Sequence, residues 1–137
     1  MSRSGYTDDI DDNWQHIMYR GRVASATRGK RGQKFFRDLL AALDDLPEKK
    51  LIPNELETSD GCFCALGALG KSRGYDLKSV DPENMEAVAG MFDIADVLAR
   101  EVVWENDEAG YWKETPEHRF ERVRKWVASQ IKEPRHD

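Results

Sequence analysis

Residues 33–46 constrain the fold more than any other stretch. Phe35, Phe36, Leu39, Leu40, Leu43 and Leu46 recur at helical spacing, Asp38, Asp44 and Asp45 mark a wet face, and Pro47 ends the run. A helix with so continuous an apolar stripe must be covered along its length, and the rest of the chain supplies short amphipathic segments to cover it. At 137 residues the chain buries about two-thirds of its unfolded surface, enough for a core without disulfide or metal. The expected fold is mainly α: one compact helical domain of about five to six helices over residues 13–133, with one small β-hairpin near 51–63. Leu39, Leu40, Leu43, Leu66, Phe92, Leu98, Val123 and Trp126 are its expected core.

The remaining elements follow from local signals. Residues 1–12, with four Asp and little that is apolar, read as an acidic tail. Residues 13–26 place Trp14, Ile17 and Met18 on one side of a helix, followed by Val23 and Ala24, and residues 27–32 read as a glycine-broken basic connector. Asp60-Gly61 is a hairpin turn signal, while Pro53 confines a strand before it to an edge. Cys64 to Gly70 reads as a short buried helix of small residues. Asp81-Pro82-Glu83 opens a helix carrying Met85, Val88, Ala89 and Phe92. Asp93 breaks it and caps the next, which runs to about Asn106. Thr115-Pro116-Glu117 starts the last helix, with Phe120, Val123, Trp126, Val127 and Ile131 on one side and Pro134 at its end.

Charge is segregated beneath a formal net of -5. Residues 20–37 carry seven bases and no acid, and residues 76–108 carry ten acids against Lys78 and Arg100. The first block can meet phosphates or acidic surfaces and the second a basic surface, or the two can pack together and partly neutralise. No apolar run approaches the ~20 residues of a membrane span, and the first thirty residues hold no stretch suited to a signal peptide, so no membrane association is expected. Cys62 and Cys64 point to opposite faces of an extended segment and lack a second pair, so reduced thiols are expected, with no metal and no cofactor.

Four constellations bear on chemistry. Arg28, Lys30, Arg31 and Lys34 flank a helix start, where amides and bases can hold a phosphate; without a G-x-x-x-x-G-K-[ST] pattern, a solvated connector is the plainer reading. Residues 87–102 have the outline of a helix-turn-helix, but the second helix is acidic and phosphates would repel it. Cys64 at a helix start is a weak candidate nucleophile, because the spacing places no His or Asn beside it and a buried structural thiol is the favoured reading. Trp104, Asn106, Asp107 and Trp112 gather aromatic and polar groups in one stretch, either as a binding rim or as a capped helix end over two core tryptophans.

Thr58-Ser59-Asp60-Gly61-Cys62-Phe63-Cys64-Ala65-Leu66-Gly67 resembles the T-D-D-G-x-C-C-L-G segment of a widespread group of small uncharacterised phage and prophage proteins, and Asn106-Asp107 resembles that group's later N-D motif. Arg31-Gly32-Gln33, Leu46-Pro47-Glu48-Lys49, Cys64-Ala65-Leu66-Gly67 and Glu114-Thr115-Pro116-Glu117 resemble segments of a closer set of small bacterial and prophage proteins. The likeness covers about residues 28–131 and implies a mobile-element origin and a cytoplasmic location in a bacterial host. It carries over no catalytic residues. Ala65 stands where the wider group often has its second Cys, which weakens any chemistry by adjacent thiols. The expected function is therefore a small phage or prophage accessory protein that binds a host protein without catalysis, in host takeover or counter-defence. Two alternatives stand beside it: a nucleic-acid binder using residues 20–37, and a cysteine-dependent hydrolase or transferase using Cys64.

Overall fold

The stripe of residues 33–46 becomes the central helix. In the computed structural model, which describes residues 13–132, the order is α1 (Asn13–Arg28), α2 (Lys30–Asp45), α3 (Ala65–Ser72), a 3-10 turn (Leu77–Ser79), α4 (Met85–Phe92), α5 (Asp96–Asp107) and α6 (Pro116–Gln130). Helix α2 packs on α1, α3 and α6, while α4 pairs with α5 and α5 also meets α1 and α3. Phe35, Phe36, Leu39 and Leu43 are buried between these neighbours. Phe36 meets Trp126 edge-on, with ring centroids 5.6 Å apart. Leu66, Phe92, Leu98 and Val123 are buried as expected, whereas Leu40 and Trp126 are half-buried against the core. The acidic segment 1–12 and the Pro134 stop lie outside the described residues.

Several boundaries differ from the sequence reading, each for a local reason. The connector at 27–32 shrinks to Gly29, which has extended backbone while Arg28 and Lys30 already belong to helices. Gly32 allows this tight joint: a Cβ there would stand 1.9 Å from the Ala26 carbonyl oxygen. Asp81 caps a turn, taking the Glu83 N–H, and the cap of α4 is Asn84, which takes the Ala87 N–H. Asp93 ends α4 in the left-handed region at φ 54°, and α5 starts at Asp96 behind Ala95 without a side-chain cap. Thr115 caps α6 as expected, taking the His118 N–H with Pro116 at the first turn. No strand forms among the described residues; the hairpin signal yields a turn at 58–62 and one bridge between Glu57 and Phe63. Pro53 lacks an N–H and Asn54 adopts φ 71°, so a ladder has nowhere to propagate.

Candidate functional site

The short motifs prove to be joints. Cys64 is the N-cap of α3: its Sγ accepts the Gly67 N–H at 3.4 Å and the residue is 1% exposed. A Cβ on Gly67 would stand 1.8 Å from the Leu56 carbonyl oxygen, so only glycine lets the 51–57 segment lie against α3. Asn106 locks this arrangement. It is 1% exposed, its Oδ1 accepts the Ala65 N–H at 3.0 Å, and its Nδ2 donates to the Ile52 carbonyl at 3.0 Å and to Asp107 Oδ1 at 2.8 Å. Asp107 is half-buried and also takes the Asn54 N–H.

A second polar cluster fastens α6 to the end of α5. The Glu114 side chain is fully enclosed; Arg122 donates to it from Nε at 2.7 Å and Nη2 at 2.9 Å, and His118 Nδ1 lies 2.7 Å away. The Arg122 hydrogen bond holds the Glu114 carboxyl below its usual range, against the opposing effect of burial. Arg119 Nε donates to the Asn106 carbonyl at 2.8 Å. Burial, reinforced by Glu101, pushes the neighbouring Glu105 upward. A Cβ on Gly110 would stand 2.5 Å from Glu114 Oε1, so this glycine admits the carboxylate. The other motifs act alike. Gln33 donates to the Thr27 and Gln130 carbonyls and accepts the Lys132 N–H, tying the ends of α1 and α6 together. Lys49 closes α2 by donating to the Leu46 carbonyl at 2.7 Å and to that of Asp44.

The expected site residues therefore separate. Asn106 and Cys64 are enclosed, and Trp104 and Asp107 are half-buried in the α5 region. Trp112 is 87% exposed in the loop before α6, with Lys113 Nζ 4.6 Å from its ring centroid. Arg28, Lys30, Arg31 and Lys34 are exposed around the α1–α2 joint. The opposing charge blocks partly neutralise each other here: Arg31 reaches Asp93 at 3.5 Å and Arg20 pairs with Glu101, while Lys34 bonds Asp38 at 2.7 Å within α2. Among the described residues Arg28 and Lys30 make no ion pair.

Helix α1 carries an apolar surface that its neighbours leave open. Its spacing predicts a stripe, yet only Val23 of its apolar residues is fully buried; Ile17 is 54% and Met18 49% exposed. Ile17, Met18, Gly21 and Ala26 line one wall of an open trough of about 740 Å³, and Ala95 and Val97 line the other. The trough continues past Ser25 into a hollow of about 190 Å³ bounded by Lys30 and Arg31. Two signals in the sequence mark this face: a glycine in mid-helix, and no acid anywhere between Asn13 and Arg28. No family model, curated protein or solved structure matches the chain. Among the described residues no helix is long and apolar enough to cross a membrane.

Proposed function

We propose that this protein binds a host macromolecule without catalysis, and that it does so through the basic-rimmed apolar face of α1. The observation that carries the reading is the exposure of Ile17 and Met18 beside Arg22 and the α1–α2 bases, in a molecule whose motif residues are engaged in holding helices together. Exposed contiguous apolar surface is uncommon on a soluble domain unless something covers it. A host protein is the partner that suits such a face, and host takeover or counter-defence is the role that accords with the resemblance to phage and prophage proteins. The thiol-enzyme alternative draws no support from Cys64, whose sulfur is enclosed and spent on a helix cap. The nucleic-acid alternative has one observation in its favour, the exposure of Arg28 and Lys30 without ion pairs.

Capture from a bacterial host lysate tests the reading when wild type is compared with the double variant Ile17→Glu/Met18→Glu. Species held by wild type, resistant to nuclease and lost from the variant are expected. Equal capture by both proteins refutes the α1 face. Release by nuclease transfers the function to nucleic-acid binding.

A further inference from the structure

We infer that the α1 trough receives an acidic amphipathic helix of a partner protein. The inference rests on the proposed use of this face and adds the chemistry of its occupant. Shape argues for a helix. Ile17 to Ser25 span about 12 Å at the helical rise, which matches two turns of a partner's stripe at i, i+3, i+4 and i+7. Adding a Cβ at Gly21 meets nothing within 4 Å, so the middle of the trough is open and shallow enough for a helix to approach closely. No strand edge lies along the trough among the described residues, so an added strand has no ladder to join.

Charge decides among occupants. Arg22 lines the trough, Lys30 and Arg31 bound its far end, and Asp96 is the acid in its wall, with Asp93 already facing Arg31. A second copy of this chain would lay one acid-free α1 on another and set the exposed Arg22 and Arg28 of each copy against the like-charged helix of the other, which repels. A nucleic acid would satisfy the bases but leave Ile17, Met18, Ala95 and Val97 uncovered and set phosphates near Asp93 and Asp96. An acidic helix with an apolar stripe satisfies both the walls and the rim. Its carboxylates would quicken encounter and set salt sensitivity, while its apolar stripe would set residence time.

The test pans a library of helix-forming peptides of about 16 residues against the full chain, then measures individual peptides by fluorescence anisotropy. Enrichment of acidic peptides with apolar residues at i, i+3, i+4 and i+7 is expected, with affinity falling as salt rises. Gly21→Glu fills the trough with like charge and should weaken these peptides about tenfold or more. Because its new Cβ meets open space and glutamate favours helix over glycine, its melting midpoint should equal or exceed that of wild type. Arg22→Glu, an exposed change on the same wall, should weaken them similarly. Enrichment of basic or charge-independent peptides, no enrichment at all, or peptides indifferent to both variants overturns the inference. So does an oligonucleotide that displaces the peptides, or self-association of wild type that Gly21→Glu abolishes. If lysate capture still depends on Ile17 and Met18 while the peptides fail, the face stands and the helix falls. If capture is independent of those residues, the face itself is refuted.

Discussion

Replacing Asn106 by alanine separates a joint from a binding residue. The side chain is enclosed and serves two backbone groups of other segments, the Ala65 N–H at the start of α3 and the Ile52 carbonyl, each at 3.0 Å. Asn106→Ala leaves the Ala65 N–H without this partner in a buried setting and the Ile52 carbonyl without it at a half-buried position. An orphaned buried polar group costs about 1–3 kcal/mol, so the Ala65 N–H sets a loss of that size and the half-buried Ile52 carbonyl, which water can reach, adds less. A domain of this kind has about 5–15 kcal/mol in all, so the loss is a large share of it. The variant should melt at lower urea with an unchanged m-value, and what remains folded should bind the partner like wild type. Asn106→Asp sharpens the test. It keeps the acceptor for Ala65 but turns a charged oxygen toward the Ile52 carbonyl and Asp107, so it should be destabilised at neutral pH and recover partly as acid restores a proton to donate. A loss below about 1 kcal/mol in Asn106→Ala, or a stable variant that no longer binds, refutes the structural role and returns Asn106 to the list of ligand contacts.

Further outcomes follow from the same geometry. Glu114 has its folded pKa held below the unfolded one by Arg122, so its contribution is complete above the unfolded pKa and is lost as pH falls through the folded value. Glu114→Gln should therefore cost about 3–5 kcal/mol near neutrality and flatten the acid limb of stability against pH; an unaltered limb in urea melts contradicts this. Glu105, pushed upward by burial, works in the opposite sense and stabilises below the unfolded pKa, fading as pH rises through its folded value. The two glycine variants Gly67→Ala and Gly21→Ala should differ in sign: the first forces the Leu56 backbone away and destabilises, and the second meets open space and stabilises by about 1 kcal/mol or less in thermal melts. A thiol reagent on the native protein should label half-buried Cys62 first and reach Cys64 only on unfolding, and fast labelling of both would show Cys64 to be open. Leu43→Ala should cost about 2–5 kcal/mol because Leu43 is fully enclosed, and a change below about 0.5 kcal/mol would remove it from the core.

What the sequence made legible was periodicity and capping. The 35–46 stripe and the Thr115-Pro116 start specify α2 and α6 because one face and one cap suffice to determine each locally. Boundaries were less legible where one residue switches the backbone, as Gly29 does between two helices, or where two caps compete, as Asp81 and Asn84 do. Burial of polar groups depends on segments far apart in the chain. Glu101 belongs to an acidic run in sequence, yet it is 2% exposed and paired with Arg20. Asn106 stands in a polar stretch between two tryptophans, a pattern that fits a binding rim and a capped helix end alike. On α1, spacing revealed a helix with an apolar side but not whether a neighbour covers that side, and there the trough lies.

The proposed division of this molecule into internal joints and one binding face is tested most directly by hydrogen–deuterium exchange of the chain alone and bound to its captured partner. Protection on binding should fall on residues 17–32 and 94–98, with residues 62–69 and 104–118 unchanged. Protection centred on residues 62–69 or 104–118, with 17–32 unaffected, would contradict it.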